Sequence, residues 1–278
     1  MIEPFINVII PTFNRSQELK RALKSVFAQD YPHFDVWVID DGSTDNTPQV
    51  IEEFSTQKNL NYIKTENRGV SAARNTGILK SKGEWCAFLD SDDEWLPHKL
   101  SRQVEFIRKN PTIPLVHGEE IWIRNGKRVN QKKIHQKSGG YIFKRCLQLC
   151  LISPSAVIIK RDVLQKLEGF DEEFTVCEDY DLWLKMTSIY EVGFIKDPLI
   201  YKYGGHEDQL SRKFKAMDYW RVKAIDHILE KGQLNKDYKM AAIEELRKKA
   251  QILLMGYKKH NNLENYYEVS DLYEKEWP

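Results

Sequence analysis

Trp85-Cys86-Ala87-Phe88-Leu89-Asp90-Ser91-Asp92-Asp93 is an apolar run that ends in three carboxylates within four residues. Trp85 to Leu89 is short for a helix, rich in residues that pack on both faces of a sheet, and preceded by the stop signal Lys82-Gly83, so it predicts a buried strand. Asp90 and Asp92 then emerge at its carboxyl end, the edge at which open α/β sheets bind ligands. Carboxylates this close repel one another unless a cation or hydrogen-bond donors neutralise them, and hard oxygen ligands suit Mg²⁺ or Mn²⁺ shared with substrate phosphates. Taken alone, the stretch reads equally well as a solvated acidic turn before a helix opened by Pro97.

The segments upstream alternate strand and helix. Phe5 to Ile10 is a β-branched run ended by Pro11, followed by Leu19, Ala22, Leu23, Val26 and Phe27 at helical spacing. Val36 to Ile39 predicts a second strand running into Asp40-Asp41-Gly42-Ser43, and Thr47-Pro48 starts a second helix. Asn61 to Lys64 predicts a third strand, and Val70 to Leu79 a helix closed by Gly83. This alternation implies a parallel sheet with right-handed crossovers. Two strands therefore deliver acids, Asp40-Asp41 and Asp90-Ser91-Asp92, to one edge, which favours a ligand site over an accidental acidic turn.

Beyond Pro97 the pattern changes. Leu115 to His117 and Ile121 to Ile123 predict strands, and Asn125-Gly126 predicts a hairpin turn into Arg128-Val129. Lys127, Arg128, Lys132, Lys133, His135 and Lys137 make this flap basic: a solvated surface or contacts to an anionic acceptor. Ala156 to Lys160 predicts a further strand, with a short helix from Arg161 to Gly169. Glu178 and Asp179 fall at the start of a helix marked by Leu182 and Met186, where carboxylates serve either as ordinary caps or as a general base. Position alone does not choose. Leu199 to Tyr203 precedes Gly204-Gly205-His206, a loop that could close over phosphates. From Val222 onward the spacing predicts amphipathic helices.

With 42 basic and 41 acidic residues among 278, the formal net charge is +1, so no global field favours nucleic acid. The four cysteines have no zinc-ribbon spacing, which fits a reduced cytoplasmic protein. No apolar run approaches the ~20 residues that span a bilayer, and no secretory leader precedes Pro4, so a lipid-linked substrate would need peripheral contact at the inner face of the membrane.

Five ordered motifs carry a family resemblance: Val8 to Arg15, Asp40 to Asp45, Asn67 to Asn75, Phe88 to Asp93, and Glu178-Asp179. In order and spacing they resemble the inverting family 2 glycosyltransferases of the GT-A fold, over about residues 5 to 212. The resemblance implies an α/β GT-A domain, mostly a parallel sheet flanked by helices, over 1–212, and a C-terminal helical extension over 213–278. It implies transfer of a sugar from a nucleotide-diphospho-sugar, a UDP-sugar first among them, to a hydroxyl of a glycan or lipid-linked acceptor, with Mn²⁺ or Mg²⁺, in bacterial surface polysaccharide or glycoconjugate synthesis. Thr12 and Asp40 are similar to the base contacts, and Arg15 and Arg74 to residues near the base or phosphates. Pro11, Asn14, Asp41 and Ser91 complete the implied nucleotide-sugar site. Asp90 resembles the ribose and metal-shell ligand, Asp92 the direct metal ligand, and His206 a further metal or phosphate contact. Asp179 resembles the base, with Glu178 as its alternative.

Other classes fit less well. A phosphoacceptor domain is about half this length, and a nucleotidyltransferase would open with a glycine-rich loop where Pro11-Thr12-Phe13-Asn14 stands. A catalytically inactive sugar-nucleotide-binding subunit is the remaining alternative, favoured if Asp179 lies far from the pocket. Homo-oligomers through the C-terminal helices are compatible with the pattern.

Overall fold

The computed structural model describes residues 3–205 and 217–277. Its first hundred residues give β1 (Ile6–Thr12), α1 (Ser16–Phe27), β2 (Phe34–Asp40), α2 (Thr47–Glu53), β3 (Leu60–Lys64), α3 (Val70–Lys80) and β4 (Trp85–Phe88). Strands lie in the order β3-β2-β1-β4 and are all parallel. Every residue of β1 and β4 is buried, as expected of strands covered on both faces.

The sheet then turns mixed. β5 (Glu94–Trp95), α4 (Lys99–Lys109), β6 (Leu115–Arg124), β7 (Lys127–Val129), α5 (Phe143–Gln148), β8 (Ile158–Lys160), α6 (Arg161–Lys166), α7 (Glu178–Ile189) and β9 (Val192–Gly204) follow. β8 joins β4 to β6 antiparallel on both sides, β9 runs parallel to β6, and β5 closes the far edge.

Three details differ from the sequence expectation. Pro11 lies inside β1 rather than ending it. Odd-numbered residues of β1 face β4, whose pairing stops at Ile9, so the missing proline N–H costs no ladder bond. The two short strands expected around 115–123 are one strand, because irregular register at Gly118–Glu120 breaks the alternation that a strand shows in sequence. Helix α3 ends at Ser81, not at Gly83; a Cβ on Gly83 would lie 2.7 Å from both the Asn7 amide oxygen and the Phe5 carbonyl, so close approach explains the glycine.

Alternate residues of β1 and β4 feed two cores. Val8, Ile10, Trp85 and Ala87 pack under α1 and α4. Ile9, Cys86 and Phe88 face α5, α7 and the C-terminal helices α8 (Met217–Lys231), α9 (Lys236–Lys259) and α10 (Leu263–Glu274). Val222, Ile225, Leu246 and Ala250 belong to the same apolar cluster as Phe170, Tyr180 and Trp183, so these helices share the core of the sheet domain. Among the described residues no helix is long and apolar enough to cross a membrane.

Candidate active site

Register sets the edge. Thr12 lies beside Asp40 and Ile9 beside Phe88, so the ends of β1, β2 and β4 come together. The Asp40 carboxylate accepts the Ser43 N–H at 2.7 Å and the Tyr62 hydroxyl at 2.6 Å; burial and this acid push the Tyr62 hydroxyl pKa up. Asp41 accepts the N–H groups of Arg68 and Gly69, each at 2.8 Å, while burial raises its own carboxyl. Asn14 adopts a left-handed backbone, φ 52°, donates its N–H to the Ser43 hydroxyl at 2.9 Å and accepts the Thr44 N–H at 2.8 Å. Asp40, Asp41 and Asn14 therefore shape the wall. The buried Thr12 hydroxyl has no hydrogen-bond partner among the described residues, and Pro11 is buried beside Ile39.

The acids after β4 divide their work. Asp93 is buried, accepting the Ser155 hydroxyl at 2.6 Å and the Tyr203 N–H at 3.0 Å. Burial and the neighbouring Asp92 push its carboxyl well above the usual carboxylate range. It anchors the turn. Asp92, its side chain largely buried, pairs with Arg15, and its carbonyl accepts from Arg21. Burial raises the Asp92 carboxyl, Arg15 opposes the rise and Asp90 adds to it. Asp90 is half-buried, with its N–H on the Ser155 hydroxyl at 3.1 Å, and Ser91 is buried between the two acids.

Arg74 joins this edge to the next element. Its guanidinium donates to Asp90 at 2.7 Å and to Glu178 at 2.6 Å, and its carbon lies 4.9 Å from the centre of the Phe170 ring. The arginine side chain is only 3 % exposed, so the ion pairs work in a desolvated setting. Burial first, then Asp179, push the Glu178 carboxyl up to about 7 against the pull of Arg74. Cys177, φ 64°, turns the chain sharply into α7. Asp179, which follows Glu178, is half-buried, accepts the Cys150 thiol at 3.2 Å on one oxygen and the Tyr180 N–H at 2.7 Å on the other. Glu178 is thus committed to Arg74, while Asp179 accepts a thiol and a backbone N–H and pairs with no cation among the described residues. Burial and Asp179 together push the Cys150 thiol well up.

Sequence reasoning missed Lys202, Asp93, Ser155 and Cys150. Lys202 on β9 donates to the Ser153 hydroxyl at 2.6 Å; burial pulls its pKa down, but Glu120, Asp93 and Asp90 outweigh this and hold it charged. A lysine within the run Leu199 to Tyr203 was the available signal. His206 lies outside the described residues. Asp90 and Asp92 offer hard carboxylate oxygens of the kind Mg²⁺ and Mn²⁺ take, and here each is compensated by an arginine, Asp92 by Arg15 and Asp90 by Arg74. The other His/Asp group, Asp171, Asp181 and His227, lies between α7 and α8 and is internally matched: His227 is 2.9 Å from Asp181, which also pairs with Lys185 at 2.7 Å.

Comparisons with known proteins give the family and the fold. The family model for glycosyl transferase family 2 matches residues 7–168. An uncharacterised glycosyltransferase of Nostoc sp. is 34% identical over 173 residues, 60% of this chain and 54% of the relative. The Escherichia coli UDP-Glc:alpha-D-GlcNAc-diphosphoundecaprenol beta-1,3-glucosyltransferase WfgD is 30% identical over 219 residues, covering 78% of this chain and 84% of that protein. The chain spans about half the length of the Nostoc relative, and the alignments with two Rickettsia relatives cover 28% and 32% of those proteins. Among solved structures, Staphylococcus aureus TarS in complex with UDP superposes with TM-score 0.69 at 23% identity, covering 91% of this chain and 72% of that one. A Pyrobaculum calidifontis mannosyltransferase in complex with GDP-Man and Mn²⁺ gives TM-score 0.66 at 19% identity, covering 99% and 82%. The fold is GT-A.

Proposed function

Because the chain belongs to glycosyl transferase family 2, we propose that it is an inverting transferase that moves a sugar from a UDP-sugar to a hydroxyl of a lipid-linked or glycan acceptor. The observation that carries this reading is the Arg74 fork, with Asp90 on one nitrogen and Glu178 on the other. It ties the donor edge to the start of α7 and fixes Asp179 beside that edge. That adjacency supports catalysis over nucleotide-sugar binding alone.

In this reading Thr12, Asp40 and the wall formed by Asn14 and Asp41 receive the nucleoside. Asp92 and Asp90 would hold Mn²⁺ or Mg²⁺, which would stabilise the negative charge that develops on the departing diphosphate. Arg15 exchanges its contact with Asp92 for the diphosphate oxygens. Asp179 takes the acceptor hydroxyl's proton as that oxygen attacks the anomeric carbon opposite the leaving group, so the configuration inverts. Glu178 is neutralised by Arg74 and holds the helix start in place. WfgD acts on a diphosphoundecaprenol-linked saccharide, which supports a lipid-linked acceptor here, surface polysaccharide or glycoconjugate synthesis as the setting, and the cytoplasmic face of a membrane as the place. In this reading the chain divides into a transferase domain at 1–212 and a C-terminal helical extension at 213–278, of which α8 to α10 are described.

Calorimetric titration with UDP, GDP, dTDP and CDP, with and without Mn²⁺, tests this directly. Metal-dependent binding of UDP is expected, and Asp92→Ala should remove the metal dependence. Absence of binding by every nucleotide in the wild-type protein would end the donor-site assignment.

A further inference from the structure

The basic flap has a feature that the donor site leaves unused. Between β6 and residues 129–136 lies a cavity of about 370 Å³, with Trp122 on one wall and Arg128, Lys132 and Lys133 around it. Trp122 is half-buried, its ring tilted against His135 with centroids 5.3 Å apart. The cavity's acids are already engaged. Glu119 accepts the Gln131 amide at 3.0 Å, and Glu120 pairs with Lys137 at 2.8 Å and accepts the Trp122 indole N–H at 2.9 Å. Arg128, Lys132 and Lys133 are exposed and form no ion pair among the described residues. Burial and then Lys132 and Lys137 push the His135 pKa down, as a locally positive field requires.

The cavity is coupled by charge to the acids after β4 through Lys202. Trp122 is the register partner of Lys202 on β9, and adjacent strands lie about 4.8 Å apart. Lys202 faces Ser153 and is held charged by Glu120 on one side and by Asp93 and Asp90 on the other. Glu120 thus borders both spaces. An aromatic wall suits the apolar face of a pyranose ring, amide groups suit its hydroxyls, and unpaired cations suit a fixed negative charge.

We propose that this cavity is an acceptor subsite that takes an anionic saccharide unit, its ring against Trp122 and its phosphate or carboxylate among Arg128, Lys132 and Lys133. The assignment rests on the transferase reading, which it deepens by naming the charge class of the acceptor. Net charge +1 hides this, because the positive potential is local.

The test uses the full chain with UDP and Mn²⁺ present, titrated by ligand-observed NMR with three probes: a sugar-phosphate oligomer, a uronic-acid tetrasaccharide and neutral maltotetraose. At least one anionic probe should bind, about tenfold tighter than the neutral one and more weakly as salt rises from about 0.05 to 0.3 M. Which anionic probe binds tells phosphate from carboxylate. The triple variant Arg128→Ala, Lys132→Ala, Lys133→Ala, confined to exposed side chains, should lose about tenfold in that affinity, and Trp122→Leu should weaken it as well. Both should keep UDP binding within about twofold. Equal binding of the neutral probe, full binding by the triple variant, or no binding of either anionic probe would overturn the subsite. Failure of the wild-type protein to bind UDP, read separately by calorimetry, would instead count against the transferase reading beneath it.

Discussion

The donor edge and the flap carry charge in opposite ways. At the edge, each acid has a partner within the chain: Asp90 with Arg74, Asp92 with Arg15, Asp93 with Ser155 and Tyr203, Asp41 with two N–H groups. On the flap, Arg128, Lys132 and Lys133 have no acid partner among the described residues. A matched, buried set is rigid and costs little to reorganise around a small, invariant ligand such as a diphosphate. An unmatched, exposed set is adaptable and gains its counter-charge from whatever binds. The chain thus fixes the chemistry on one side and leaves recognition on the other.

The sharpest way to break this contrast is at the base. Asp179→Asn should lower turnover by roughly 10²–10⁴ while leaving UDP binding near that of the wild type. Turnover at the wild-type rate would move the role to Glu178. Next in size is the buried fork: Arg74→Met leaves Asp90 and Glu178 facing each other without their cation, and denaturant unfolding should show a loss of about 3–5 kcal/mol. A loss under about 1 kcal/mol would mean that the edge is not held by this pair.

A third effect lies in β6. His117 is fully buried, its pKa pushed down to about 4 by burial and by Lys137. Its unfolded value is 6.5, so the unfolded chain binds the extra proton first as pH falls. The stability that neutral His117 contributes is therefore complete above pH 6.5 and lost on the way down to about pH 4, by about 3 kcal/mol in all. Measuring unfolding at pH 7 and pH 4.5 checks this, and His117→Phe should flatten that part of the curve. The smallest effect is at Cys150. Removing one thiol hydrogen bond by Cys150→Ala should change turnover by less than about fivefold; a larger change would make the thiol a positioning residue for Asp179.

Much of the donor edge was legible in sequence because its signals are local. Asp40-Asp41-Gly42 and Asp90-Ser91-Asp92 follow apolar runs directly, and parallel pairing brings them together with no further information. What could not be read is the pairing across the chain. Arg74 and Glu178 are 104 residues apart, and only the packing of α7 against the sheet reveals that one guanidinium serves both Asp90 and Glu178. The choice between Glu178 and Asp179 turned on that contact. Lys202 was hidden for the same reason: its neighbours Glu120 and Asp93 lie on β6 and in the turn after β4. The single strand β6 was misread as two because the register shift at Gly118–Glu120 leaves no alternation to follow.

The shared core of the C-terminal helices has a practical consequence for exchange between relatives. The family pattern matched here ends at residue 168, yet Phe170, Phe174 and Trp183 pack with Val222, Ile225 and Leu246 in one apolar cluster. A graft made after Glu178-Asp179, the last motif of the resemblance, would part Phe170 and Phe174 from Trp183 and the helices that follow and leave both halves with mismatched surfaces. Recombination that respects packing would have to carry α7 and the helices after it together, so Asp179, the proposed base, and its helical backing would be inherited as one block.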